Sequence, residues 1–211
     1  MINITNEDNM QLMARYEDKH FDLAIVDPPY GLERFKANDG GNSKKIKSFG
    51  DKDKNWNNIK PSKEYWEQLF RVSKKQIVWG GNNFTEFLPP SEYFIIWDKQ
   101  QAMPSFARCE MAWTNCKIPA KIYAERSQDL NRIHPTQKPV KLYEWLLLNY
   151  AKEGDKILDT HGGSLSIALA VHNVNTQNKM NLTLDVCELD KDYYLAGKER
   201  LRKHQQQLTI F

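Results

Sequence analysis

The run Phe21-Asp-Leu-Ala-Ile-Val26 is almost unbroken in its apolar character and stops at Asp27-Pro28-Pro29. So short a run suits a strand covered on both faces, and prolines, which lack the amide proton a ladder needs, end it. Comparable runs recur at residues 76–79, 93–97, 110–113, 156–159 and 182–187. Between them lie stretches with helical spacing. Residues 61–72 place Tyr65, Leu69 and Val72 on one face, and residues 139–152 turn Leu142, Trp145, Leu146 and Tyr150 inward. Residues 84–88 read as one helical turn stopped by Pro89-Pro90, residues 164–172 as a small-residue helix, and residues 192–205 as a last helix with Asp190 near its start. Strands alternating with helices predict an α/β fold, a mostly parallel sheet with helices on both faces.

A chain of 211 residues suits one domain, 1–211, with a real core. The hydrophobic fraction of 40% is that of an ordinary globule, and no apolar run reaches membrane-spanning length. Without a signal-peptide pattern, and with three cysteines (Cys109, Cys116, Cys187) in no C-x-x-C pair, the expectation is a cytoplasmic protein with reduced thiols and no metal site. The net charge of +3 says little by itself; its distribution says more. Residues 36–60 carry Lys44, Lys45 and Lys47 among other lysines, glycine, asparagine and serine, which predicts a mobile basic loop. Such a loop is either a solvated insertion or a contact for nucleic acid phosphates.

Four patches fall at strand ends or just beyond them, where an open α/β sheet forms its ligand crevice. The first is Asp27-Pro28-Pro29-Tyr30. An exocyclic amine on a base is a poor nucleophile, because its lone pair is delocalised into the ring. A carboxylate (Asp27) and a carbonyl (Pro28), held by the stiff Pro28-Pro29 step, can accept its two N–H groups and stabilise the charge that grows as a methyl arrives. Tyr30 offers a flat face for a base taken out of the stack. A strand stop with a surface aspartate would leave the same residues. The second patch, Leu158-Asp-Thr-His-Gly-Gly-Ser164, is a glycine turn that lets a ligand approach backbone, or simply a tight strand-to-helix connection. The third is Glu188, placed either to hold ribose hydroxyls or to cap the last helix, for which Asp190 is the better candidate. The fourth, His134-Pro-Thr-Gln-Lys-Pro139, opens a helix with groups able to hold a carboxylate.

In this order the patches resemble the DNA amino-methyltransferases of the permutation often called beta, with the catalytic tetrapeptide first and the cofactor glycines last. D-P-P-Y at 27–30, H-P-T-Q-K-P at 134–139, L-D-T-H-G-G-S at 158–164 (where the family usually has D-P-F-x-G-S-G) and C-E-L-D at 187–190 carry the resemblance over nearly the whole chain. Asn6-Glu7-Asp8 resembles the family's G-D at the first strand end. The resemblance implies a Rossmann-like, seven-stranded, mostly parallel sheet with one antiparallel strand, S-adenosylmethionine as methyl donor, and no metal. It implies that Asp27, Pro28, Pro29 and Tyr30 handle the target base. Asp159, His161, Gly163 and Ser164 would form the cofactor turn, Glu188 would take the ribose, Asp8 the cofactor adenine, and Thr136, Gln137 and Lys138 the methionine end. Asp before Pro-Pro-Tyr leans towards adenine N6 over cytosine N4.

Two departures stand out. His161 replaces the usual Phe, and Leu165 stands where the family often has Gly. Leucine disfavours positive φ, so the turn is expected to differ locally. The segment between the catalytic half and H-P-T-Q-K-P shrinks to residues 117–132, a reduced target-recognition segment in which Lys121, Arg126 and Arg132 can touch phosphate and Tyr123 can stack. Relaxed specificity, a homodimer or a specificity partner is the expectation. The tail, residues 203–211, ends in Gln207-Leu208-Thr209-Ile210-Phe211, which resembles sliding-clamp-binding peptides anchored through Gln207, Leu208, Ile210 and Phe211. Cytosine N4 methylation, an RNA substrate and a non-catalytic nucleic-acid-binding subunit are the rival readings.

Overall fold

In the computed structural model the described residues are 1–31, 60–101, 107–126 and 132–207. They form β1 (Ile2–Thr5), α1 (Asn9–Ala14), β2 (Phe21–Val26), α2 (Lys63–Val72), β3 (Ser73–Trp79), β4 (Phe94–Asp98), β5 (Cys109–Thr114), β6 (Lys121–Ala124), α3 (Val140–Tyr150), β7 (Lys156–Asp159), α4 (Ser166–Asn178), β8 (Thr183–Cys187) and α5 (Lys191–Gln207). The strands join in one sheet of order β1-β8-β7-β2-β3-β5-β4-β6. Strand β5 runs antiparallel to both β3 and β4; the other pairings are parallel. The mostly parallel α/β sheet with one reversed strand is as expected, and β6 adds an eighth strand beyond the seven that the resemblance implied.

The apolar runs of the sequence are explained by burial on both faces. In β2, Leu23 and Ile25 enter one core with α3 and α4, while Ala24 and Val26 enter the other with α1 and α2. Ile77 and Val78 of β3, and Ile157 and Leu158 of β7, divide in the same way, as strict alternation of side chains requires. In α3 the inward residues are Leu142, Tyr143, Leu146, Leu147 and Tyr150; Trp145 is half-buried, tilted over Tyr123 at 5.1 Å. Phe84 accepts backbone bonds from Phe87 and Leu88, the single turn expected there.

Strand β6 changes the reading of residues 117–132. Four of them pair with β4 at the sheet edge, and Tyr123, expected to stack on a ligand, spends its ring on Trp145. Among the described residues no helix is long and apolar enough to cross a membrane.

Candidate functional site

The parallel topology brings the ends of β1, β2, β7 and β8 to one edge of the sheet, and a cavity of about 540 Å³ opens there. Its lining includes Asp8, Gly163, Glu188 and Leu189 from the segments after β1, β7 and β8, Asp27 and Pro29 after β2, and Lys138, Tyr65, His134 and Tyr143. Of the residues singled out from sequence, Asp8, Asp27, Pro29, Thr136, Gln137, Lys138, His161, Gly163, Ser164 and Glu188 line this single cavity. Pro28 is buried and is not part of its lining.

Asp8 caps α1, its Oδ1 accepting the Met10 amide at 2.8 Å. Glu188 follows β8 directly and takes the Gly163 amide on Oε2 at 2.7 Å and the Asp190 amide on Oε1 at 2.8 Å. Burial pushes its carboxyl above the ordinary range, against the pull of those amides. Asp190 caps α5 by accepting the Asp192 and Tyr193 amides, the role foreseen for it. Asp159 lies behind the turn, accepting the His161 amide at 2.9 Å. Burial, with Asp27 and Glu188 nearby, raises its carboxyl to about 7.

The turn after β7 differs from expectation. Leu165 adopts φ +56 and ψ +30, the left-handed conformation that glycine ordinarily supplies. The Leu165 amide donates to Gly162 O at 2.8 Å, so the turn closes with its glycine-like geometry intact. The cost of left-handed backbone, on the order of 1–2 kcal/mol, is outweighed by complete burial of the Leu165 side chain. Arg200 of α5 stitches the same turn, donating to Ser164 O and Ser166 Oγ at 3.0 Å each.

His161 is half-buried and neutral, its imidazole lowered to about 3 by desolvation. Its Nε2 meets the Asn9 amide at 3.2 Å and its Nδ1 meets Thr160 Oγ1 at 2.9 Å; Thr160 in turn bonds the buried Tyr65 hydroxyl at 2.7 Å. These three partners went unforeseen in the sequence, because nothing near Asn9 or Tyr65 announces a polar contact with the glycine turn. His134 is likewise lowered to about 4, by burial and then by Lys138, and it packs edge-on against Tyr193 at 4.3 Å. Gln137 closes its own loop by accepting the Ile133 amide. Thr136 is exposed at the cavity rim, its hydroxyl 3.2 Å from His134 Nδ1.

Beyond the end of β2, Tyr30 donates its hydroxyl to Asp27 Oδ1 at 2.7 Å, and Lys138 donates to Asp27 Oδ2 at 2.5 Å. The Lys138 ammonium also lies 3.2 Å from Glu110 Oε2 and 5.2 Å from the centre of the Trp79 ring. Glu110 was not among the candidates from sequence; the one signal was a lone acid in the apolar run Glu110-Met-Ala-Trp113.

Among the proposed phosphate contacts, Lys121 is committed to Asn149 Oδ1 at 2.6 Å, Arg126 is exposed just past β6, and Arg132 is half-buried. Lys44, Lys45 and Lys47 lie outside the described residues, as do Leu208, Ile210 and Phe211; the backbone of Gln207 ends α5.

Residues 97–199 match the family model described as DNA methylase. A segment of 68 residues, 32% of this chain, is 37% identical to the type II methyltransferase M.HpaI of Haemophilus parainfluenzae, and the match spans a fifth of that protein's length. Among solved structures, the M1.HpyAVI–SAM complex superposes with a TM-score of 0.64 at 20% identity, covering 95% of this chain and 99% of that one. The PvuII DNA methyltransferase, described as cytosine-N4-specific, gives 0.61 at 13% identity, covering 98% and 92%. At these identities the two structures establish the fold.

Proposed function

Taking the chain as a DNA amino-methyltransferase, the family that its fold, motif order and match over residues 97–199 support, we propose that it methylates adenine N6 in DNA, using S-adenosylmethionine. The observation that carries this reading is the single cavity joining Asp8, Gly163 and Glu188 to Asp27 and Pro29. The residues suit that cofactor. The cavity volume falls within the range of small-molecule sites, and two carboxylates stand in its lining to receive an adenine amine and ribose hydroxyls. Gly163 in the cavity wall sits at φ +51, the left-handed region that favours glycine.

Bound there, the cofactor supplies an electrophilic methyl group on a sulfonium. The chain's residues then act on the base. Asp27, with the Pro28 carbonyl, accepts the amine's N–H groups and localises the nitrogen lone pair for attack. As the new N–C bond forms and the sulfur–carbon bond breaks, positive charge grows on the amine. Asp27 stabilises that charge, and the proton shed by the product leaves along the same hydrogen bond. Tyr30, turned onto Asp27, holds the carboxylate until the amine takes its place. Pro29 gives the reacting base a dry wall.

Choice of adenine over cytosine rests on Asp27 heading the tetrapeptide, and the resemblance to a cytosine-N4 enzyme keeps that product as the alternative outcome. The test is transfer of labelled methyl from S-adenosylmethionine to mixed-sequence DNA, followed by nucleoside analysis, with Asp27→Ala as control. Methyladenine lost in the control supports the reading; methylcytosine changes the base; tight DNA binding without transfer refutes it in favour of a binding subunit. Matched RNA as competitor tests the polymer.

Specificity is proposed to be relaxed, or to come from residues 36–60 or a second subunit. A single required site longer than about four base pairs, from the protein alone, refutes relaxed specificity. The Gln207-Leu208-Thr209-Ile210-Phe211 tail is proposed to anchor a sliding clamp, and unchanged clamp affinity after its deletion refutes that.

A further inference from the structure

Asp27 does not stand alone. Four charged side chains form one line into the sheet, alternating in sign: Asp27 from the end of β2, Lys138 from the loop before α3, Glu110 from β5 and Lys99 just past β4. Lys138 is the pivot. Its side chain is 3% exposed, and its ammonium reaches both carboxylates. The half-buried Lys99 ammonium bonds the other Glu110 oxygen. Two tryptophans wall the line, Trp79 beside Lys138 at 5.2 Å and Trp97 beside Lys99 at 5.3 Å. The pairing of Trp97 with Glu110 across β4 and β5 fixes where Glu110 enters.

The charge balance of this line bears on the chemistry proposed above. A carboxylate paired to a buried ammonium is a neutral dipole, which attracts a developing cation far less than a free carboxylate does. A second carboxylate on the far side of the ammonium restores a net charge of minus one to the inner three groups. Charges a few ångströms apart and largely removed from solvent are screened less than at the surface.

We propose that Glu110 is a positioning residue for methyl transfer: by sharing Lys138 with Asp27, it fixes the Asp27 carboxylate while keeping the inner cluster anionic. The inference rests on the DNA amino-methyltransferase reading. The ionisation pattern supports it. Burial works against the Lys138 ammonium, yet Asp27 and Glu110 hold its affinity for a proton above the ordinary range. Burial works against the Glu110 carboxylate, yet Lys138 and Lys99 keep it below the ordinary range. Lys138 and Glu110 therefore hold each other in their charged forms. The other titratable groups facing the cluster are the Tyr30 and Tyr143 hydroxyls, both raised well above the ordinary range, burial being the largest cause and the carboxylates here adding to it, and the His134 imidazole, lowered to about 4 by burial and then by Lys138. Asp159 is the remaining acid close enough to be felt.

The experiment compares wild type, Glu110→Gln, Glu110→Asp and Lys99→Met in single-turnover transfer across pH 5–9. S-adenosylmethionine affinity is measured by calorimetry, DNA affinity by fluorescence anisotropy, and folding by thermal melting. Glu110→Gln keeps the shape and removes the charge. Its rate at saturation is expected to fall at least tenfold with both affinities within twofold, and the acid limb of the rate to move to lower pH. Glu110→Asp restores the rate to within about threefold. Lys99→Met takes away the outer counter-charge and moves the acid limb the opposite way, to higher pH; because it leaves Glu110, Lys138 and Asp27 in place, it keeps the test available should Glu110→Gln fold poorly. Limbs that stay put or move together, or a Glu110→Gln rate equal to wild type, overturn the inference while leaving the enzyme reading intact. Wild-type protein that binds DNA and transfers nothing overturns the enzyme reading itself, and the positioning role with it.

Discussion

Leu165 takes left-handed backbone while its side chain lies against Gly197 of α5, so closely that a Cβ on Gly197 would meet Leu165 Cγ at 2.7 Å. The helix and the turn after β7 are thus fitted to each other by one residue without a side chain and one in an unfavourable conformation. Gly197→Ala forces that overlap and is expected to cost about 1–3 kcal/mol. Leu165→Gly relieves on the order of 1 kcal/mol of backbone strain but loses a buried leucine, for a net loss of roughly 2 kcal/mol. The two changes together remove the clash. Urea unfolding of the double-mutant cycle should show coupling of about 1 kcal/mol or more, and strict additivity would count against the contact as the cause.

Asp159 stores a charge in the core. Its folded carboxyl is raised to about 7 from an ordinary 3.8, so between those values the native state holds a proton that the unfolded chain has lost. Its contribution is therefore a stability that declines as pH rises from about 4 to 7 and stays low above 7. Asp159→Asn removes the charge and keeps an acceptor for the His161 amide. The variant should melt higher than wild type at pH 8, and this advantage should vanish near pH 4. Its S-adenosylmethionine affinity at pH 8 should fall several-fold, since a cationic ligand gains from the ionised acid. Paired thermal and calorimetric titrations check both; equal melting curves at pH 8 would remove the claim.

His161 has the opposite sign. Its folded imidazole is lowered to about 3, so below the ordinary 6.5 the unfolded chain takes up a proton that the native state refuses. Stability contributed by the neutral ring is complete above about 6.5 and is lost as pH falls towards 3. His161→Phe, the residue usual in the family, ends this dependence and gives up the contacts with Asn9 and Thr160. The acid unfolding midpoint should move to lower pH, with a loss of about 1 kcal/mol at pH 7. Circular dichroism through pH 7 to 3 would show it, and an unchanged midpoint would mean that the burial of His161 is relieved before unfolding.

The strands were legible because burial on both faces leaves continuous apolar runs, as in Phe21–Val26, and the cavity residues were legible because they sit at the ends of those runs. What escaped was set by contacts distant in sequence. Glu110 meets Lys138 only because β5 is inserted antiparallel beside β3, a placement that no local pattern in Cys109–Thr114 encodes. Strand β6 was hidden because Lys121–Ala124 is a half-exposed edge of four residues, too short for alternation to show. Leu165 was misjudged from propensity alone, since the packing that offsets its backbone comes from α5.

Tyr30 supplies the last test. Its ring lies over Gly80, itself at φ +64, where an added Cβ would come within 2.3 Å of the ring. The absence of a side chain at the end of β3 is therefore what allows the Tyr30 hydroxyl to reach Asp27 Oδ1. Gly80→Ala introduces both backbone strain and a wedge beneath the ring, so Tyr30 must leave Asp27. Tyr30→Phe removes the hydroxyl alone and keeps the face that would meet a flipped base. If the ring is the working part, Tyr30→Phe should transfer within about threefold of wild type, whereas Gly80→Ala and Tyr30→Ala should lose ten-fold or more with S-adenosylmethionine affinity nearly unchanged. A Tyr30→Phe protein as impaired as Tyr30→Ala would instead assign the role to the hydroxyl and its bond to Asp27.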